Sequence, residues 1–325
     1  MSKNGSIPVA RFMCALIAIL SLWLTTSCVH EFPESPGTML LRLTIHHETD
    51  WTWYDYTYIK GQTKTRAAGV DSSVTVRYIF KFFVPGTTQC IDTQIFYSDD
   101  LTLSDFTVDL NAPIGESELR VFSDYVEAVT REELHHIADD FSAITLKTPH
   151  IGNTDTRDSF EGKLPLSIGR SYDETRVKEE RIDLLRNTAR VIFIATDTKE
   201  IEEDLSQLRI LISYPLYMPH VYNMFLEKPV DARTGVSFEA PVTMLENGEA
   251  HIGMDYVFVN HAEAGVQMSL SMQTTRYEAQ LTDIITVPLR RGRTTVVRGR
   301  FLTMRSSGGV GIDPDFDGDF NIEFR

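Results

Sequence analysis

Apolar and polar positions alternate with a period of two along most of the chain. In Ser73 to Val84, SVTVRYIFKFFV, the residues Val74, Val76, Tyr78, Phe80, Phe82 and Val84 fall on one face and Thr75, Arg77 and Lys81 on the other, which predicts a half-buried strand. Val266 to Gln273, VQMSLSMQ, divides cleanly: Val266, Met268, Leu270 and Met272 against Gln267, Ser269, Ser271 and Gln273. A helix would scatter those apolar groups around its axis. Val191 to Ile194 in TARVIFIATD is continuously apolar, the pattern of a strand buried on both faces. Asn247-Gly248 between PVTMLE and EAHIGMDYVFV predicts a type I′ hairpin, and Arg291-Gly292 between ITVPLR and RTTVVRGRFLTM predicts a second, so the C-terminal half reads as a chain of antiparallel strands. One helix is predicted: Thr130-Arg131-Glu132-Glu133 fits a capping box, followed by Leu134, Ile137 and Ala138 at helical spacing.

Many short alternating strands, tight turns and few short helices give an all-β chain of two β-sandwiches in tandem. The charged stretch Ser171 to Asn187 is the natural boundary, giving domains at 38–178 and 179–325 after a tether at 28–37. Lys60 to Gly69, KGQTKTRAAG, reads as a solvated loop. Hydrophobic residues make up 42% of the chain, enough to fill two cores and unlike a disordered composition.

The N-terminus changes the picture. Phe12 to Leu24, FMCALIAILSLWL, is a thirteen-residue apolar run behind Lys3 and Arg11, too short for a span of about 20 residues and of the length of an export segment. Residues 1–27 therefore read as a signal peptide. LTTSC at 24–28 resembles a bacterial lipobox, with the leucine four residues before the cysteine rather than three. The lipobox implies cleavage between Ser27 and Cys28 and acylation of Cys28, each buried methylene contributing about 0.8 kcal/mol to membrane attachment. Cleavage there removes two cations and no acid, taking the net charge from −15 to −17. Such a surface repels nucleic acid. Of the three cysteines only Cys90 would remain unmodified, which excludes an intrachain disulfide and a thiolate zinc site; its strand-like surroundings predict a packed, buried thiol.

Catalytic signatures are missing: there is no G-x-S-x-G, H-E-x-x-H, P-loop or G-x-G-x-x-G. His46-His47 and His135-His136 are adjacent pairs whose side chains diverge on a strand or a helix, which disfavours chelation. Asp313, Asp315, Asp317 and Asp319 in IDPDFDGDF begin like a calcium loop, but position twelve is Phe324 instead of a glutamate, so a solvated acidic face is the favoured reading over a cation site. No cofactor is expected beyond the lipid. The aromatic run WTWYDYTY offers Trp51 and Trp53 as glycan contacts, against the plainer reading of an aromatic strand packing into a core.

Two ends of the chain combine: CVHEFPE at the lipidation junction and IDPDFDGDFNIEF at the terminus together resemble the fimbrial anchoring-subunit family, lipoproteins that start type V pili on Gram-negative outer membranes. The resemblance implies two transthyretin-like, immunoglobulin-like sandwiches, tethered through Cys28 to the outer membrane and exposed at the cell surface. It implies a non-enzymatic role as well: holding a fimbrial shaft subunit by β-strand addition and limiting fibre length. Shaft subunits of that kind are opened by cleavage after an arginine; Arg66 is not assigned this role. The alternative reading is an accessory or tip adhesin, or a glycan-binding lipoprotein, contacting its ligand through Trp51 and Trp53.

Overall fold

The computed structural model describes residues 37–48, 73–169, 177–201, 204–260, 264–273 and 278–303, and the backbone course of 310–312 and 320–324. The chain divides into Met1–Gly37 and Thr38–Arg325, and every strand belongs to the second unit. Cys28, Ser27, Trp51, Trp53 and the acids Asp313 to Asp319 lie outside the described residues.

The protein is all-β. The first half carries β1 (Thr38–His47), β2 (Val74–Phe83), β3 (Cys90–Ser98), β4 (Phe106–Pro113), β5 (Gly115–Glu127), β6 (His136–Ile137), β7 (Ile144–Leu146), β8 (Phe160–Ile168) and β9 (Lys178–Arg186). The second half carries β10 (Thr188–Ala195), β11 (Arg209–Tyr214), β12 (Met218–Asn223), β13 (Lys228–Arg233), β14 (Val236–Pro241), β15 (Thr243–Met244), β16 (Ala250–Phe258) and β17 (Ala264–Gln273). It continues with β18 (Glu278–Gln280), β19 (Ile285–Leu289), β20 (Thr294–Gly299), β21 (Val310–Ile312) and β22 (Phe320–Phe324). Helical structure among the described residues is confined to three short 3-10 turns.

Seven strands in the order β3-β2-β5-β8-β9-β1-β4 make the first sheet, which turns a corner where β8 and β9 share only Phe160↔Arg186 and Glu161↔Leu185. Leu41, Leu43, Ile45, Val76, Tyr78, Phe80, Phe82 and Val121 fill the space it encloses. In the second sandwich, β15-β16-β10-β20-β22-β21 packs on β14-β11-β17-β18, with β19 also on β17. Its core includes Val191, Phe193, Ile210, Ile212, Ile252, Met268, Leu270 and Val297. As the continuous apolar run predicts, every residue of β10 is buried, Ile192 and Ile194 on the face opposite Val191 and Phe193.

The first sheet continues through β9 to Arg186, eight residues past residue 178, so the change of sheet falls at Asn187. The halves are also interleaved. β6 and β7 from the first half pair with β12 and β13 from the second in a four-stranded sheet, and Ile79, Phe83, Phe122, Phe141 and Ile144 belong to the second core.

That interleaving corrects the reading of β2 as half-buried. Both its faces are covered: Thr75 and Arg77 are buried with the apolar set, and only Lys81 is partly open. The helix at Thr130 does not form. Arg131 takes a left-handed backbone (φ 62°), the Glu127 carboxylate accepts from the Val129 and Thr130 amides, and Glu133 turns to Arg77 (Nη1–Oε1 3.1 Å) instead of reaching back to Thr130. Propensity gives way to a tertiary ion pair.

The Asn247-Gly248 hairpin forms, though as a type I turn followed by a left-handed glycine. Gly248 donates to the Leu245 carbonyl (3.1 Å) and Gly248, not Asn247, has positive φ (85°). Arg291-Gly292 is not a hairpin: Arg293 donates to the Arg290 carbonyl (3.0 Å) around Gly292 (φ 66°), and the chain crosses from β19, paired with β17, to β20, paired in parallel with β10. A type II turn of this kind splays its flanking strands apart. Parallel pairs β1·β9, β10·β20 and β20·β22 likewise depart from an all-antiparallel chain.

Gly253 lies beside a bulge in β16, where Phe193 pairs with Gly253 but Ile194 pairs with His251, and has φ 149°; a Cβ there would meet Ile212 Cδ1 at 2.3 Å. Gly253→Ala is expected to destabilise the fold by about 2–4 kcal/mol, read from the midpoint of chemical unfolding. A wild-type midpoint would show that β16 shifts at no cost.

Candidate functional site

Two features stand out: a buried polar seam where the sandwiches meet, and the free edges of the sheets.

The seam is built by charged residues on inward-facing strand positions (Arg77, Asp124, Glu161, Arg186 and Asp255) and on the connections between strands (His150, Arg157, Asp158 and Arg291), each obliged to find a partner away from water. Asp255 of β16 is completely buried and collects Arg157 (Nε 3.0 Å), His150 (Nε2 2.8 Å) and the Tyr214 hydroxyl (2.7 Å). Burial alone would raise its carboxyl, but Arg157 and then His150 hold it below the usual range. Burial, then Asp255 itself, pushes the Tyr214 phenol well up, so the hydroxyl stays a donor. Arg77 forks onto Asp124 (2.9 Å twice). Arg186 reaches Asp158 (2.8 Å) and the Glu48 carbonyl (2.7 Å). Glu161 meets Arg291 (2.9 Å) and the Tyr222 hydroxyl (2.5 Å), and its carboxyl is raised by burial. Arg120 donates to the Met224 carbonyl (2.6 Å) and lies over the Phe225 ring.

Histidines populate the same region. His47 is set edge-on to Phe160 and lowered to about 4 by burial and then by Arg186. His135, hydrogen-bonded to Thr156 (2.7 Å), is lowered to about 2 by burial and by His136; His251 is lowered to about 4 by burial. His136 is fully buried, its ring 3.5 Å from Asp124, too far for a hydrogen bond, and is also lowered by burial. As strand geometry requires, His46 diverges from His47 and bonds Asp105 at the surface (2.8 Å). Among the described residues, no three His, Cys, Asp or Glu side chains converge as metal ligands. Through Arg157–Asp255, Arg291–Glu161 and Arg120–Met224 the seam joins residues of the two halves. It was not foreseen from sequence; the arginines Arg77 and Arg186 in otherwise strand-like runs were the available sign.

The edges differ in how they are protected. β6, β15, β18 and β21 are two or three residues long. β13 (KPVDAR) carries Pro229 and the charges Lys228, Asp231 and Arg233, the usual devices against strand pairing; β14 ends with Glu239 and Pro241. β3 (CIDTQIFYS) is nine residues long without proline or a cation. It shows Ile91, Ile95 (51% exposed) and Phe96 to solvent. Cys90 opens this edge strand and is exposed, contrary to the expected packed thiol, because β3 has a neighbour on one side only. Across from β3 lies β4, the other end of the same sheet. No backbone ladder joins them; the Gln94 side-chain amide donates to the Asn111 carbonyl (2.8 Å) and accepts from the Asn111 N–H (3.1 Å), and Phe96 stacks on Phe106 (centroids 5.5 Å).

A family model described as "Family of unknown function (DUF6562)" matches residues 38–325. No curated protein matches. Among solved structures, the fimbrial anchor protein Mfa2 from Porphyromonas gingivalis is similar at 10% identity and TM-score 0.44, over 89% of this chain and 97% of that one. A fimbrial assembly protein from Parabacteroides distasonis is similar at 12% identity and TM-score 0.40, over 80% and 90%. A DUF1812 protein from Bacteroides thetaiotaomicron is similar at 13% identity and TM-score 0.45, over 75% and 80%.

Proposed function

Because the chain belongs to the family described as a family of unknown function (DUF6562), its role has to be argued from its own residues, and we propose a non-enzymatic one: a lipid-anchored surface protein that holds a fimbrial shaft subunit at the outer membrane by β-strand addition. The observation that carries this reading is the nine-residue edge of β3, which has neither proline nor a cation to protect it, on an interleaved pair of sandwiches. An open edge offers unpaired amides and carbonyls to an incoming strand, and alternate side chains give the pairing its register. The lipobox ending at Cys28 supplies the membrane end of the tether.

Substituting Cys28→Ala in cells is expected to abolish incorporation of labelled fatty acid and to release both the protein and attached fibres into the medium, seen by fractionation and electron microscopy. Normal, cell-bound fibres of unchanged length in that strain, or in one lacking the protein, would refute the role.

A further inference from the structure

The gap between β3 and β4 has a charge and a closure that together specify what fits it. From Val84 to Leu119, the stretch containing both strands, there are seven acids and no lysine, arginine or histidine. Arg42 takes Asp109 (2.9 Å) and His46 takes Asp105 (2.8 Å). Asp92, Asp99 and Asp100 bond to neutral groups instead, the Gln94 amide, Thr75 and Thr102. Arg131 lies over the Tyr97 ring of β3, but Asp92, Asp99 and Asp100 have no cation bonded to them among the described residues, so the rim of the gap is predominantly acidic.

Its closure is made by side chains standing in for a backbone. A primary amide has the donor and acceptor of a peptide group, and Gln94 uses both on one residue, Asn111, as a neighbouring strand would. Two neutral hydrogen bonds of this kind, accessible to water, contribute little net free energy and are easily exchanged. Beside them, the Phe96–Phe106 stack continues inward to Tyr78, whose ring lies 4.9 Å from that of Phe106. Ile91 and Ile95 stand exposed along the same strand.

We propose that the β3–β4 gap is the strand-acceptor site, that Gln94 is a placeholder displaced when it fills, and that the occupant is an extended segment with alternate apolar residues flanked by lysine or arginine. This rests on the strand-addition reading above. Charge complementarity selects the basic flanks and speeds encounter, while the exposed isoleucines and the aromatic stack select apolar alternation.

The test uses the mature full chain and two synthetic peptides, Lys-Thr-Val-Thr-Val-Thr-Val-Thr-Lys and its counterpart with glutamate at both ends. Expected are saturable binding of the lysine peptide, at least tenfold tighter than the glutamate peptide, with the difference shrinking in about 0.5 M salt, and slowed hydrogen exchange of amides in β3 and β4. Gln94→Ala is expected to tighten lysine-peptide binding several-fold, and Gln94→Lys to weaken it at least tenfold. Absence of saturable binding, equal affinity for both peptides, or protection at β14 instead would overturn the site. A Gln94→Ala protein that binds as the parent does would overturn the placeholder. The outcomes separate from the anchoring role: fibres that stay attached in a Gln94→Lys strain count against this gap alone, whereas peptide capture beside fibres indifferent to Cys28→Ala counts against anchoring alone.

Discussion

Acidification from pH 7 to pH 5 is expected to remove several kcal/mol of stability. His47 and His251 sit near 4 in the folded protein and His135 near 2, against an ordinary value of about 6.5. Their folded values are depressed, so between those values and 6.5 the unfolded chain binds protons that the folded chain refuses, and stability falls as pH falls through that window. At pH 5 each contributes a loss on the order of 2 kcal/mol, and His136 adds in the same direction. Glu161 works the other way, because its raised carboxyl regains a proton in the fold as pH drops. Urea midpoints at pH 7, 6 and 5 provide the measurement. A flat profile would mean that the seam admits water and charged imidazoles without penalty. His251→Phe should flatten part of the slope.

Asp255→Ala is expected to cost about 3–5 kcal/mol, because it leaves Arg157, 2% exposed, as an uncompensated buried cation and strips partners from His150 and Tyr214. Replacing both members, Asp255→Leu with Arg157→Met, should recover most of that loss, since paired apolar side chains of similar volume avoid desolvation altogether. The surface pair Arg42–Asp109 gives the contrast: although bidentate (2.9 and 3.0 Å), it is open to water, and Asp109→Ala should leave the urea midpoint close to that of the parent protein. Equal losses at the two sites would refute the assignment of the seam as the joint between the sandwiches.

The sequence pattern carried the architecture further than it carried the contacts. Strict alternation in β17 and the unbroken apolar run of β10 identified strand type and burial, because both depend only on which face meets a core. It failed where a residue's partner is distant in the chain. Arg77 and Thr75 look like a solvent face until the second sandwich covers them, and the Thr130 capping box is locally sound until Glu133 is recruited by Arg77, 56 residues away. Arg291-Gly292 has the composition of a hairpin, and only the pairing of its flanking strands with different sheets reveals a crossover. The edge site was half legible. The acid-only stretch from Val84 to Leu119 can be seen in the letters, but that Gln94 faces Asn111 depends on the sheet curling until its first and last strands approach.

β1 lies inside the first sheet, with eight residues in register with β4 on one side and seven with β9 on the other. Tension applied at Thr38 along the strand axis would load both ladders sideways, so that their hydrogen bonds must yield as a group, whereas an end strand peeled from a sheet gives way one bond at a time. The strand that opens at Thr38 is thus placed to bear traction.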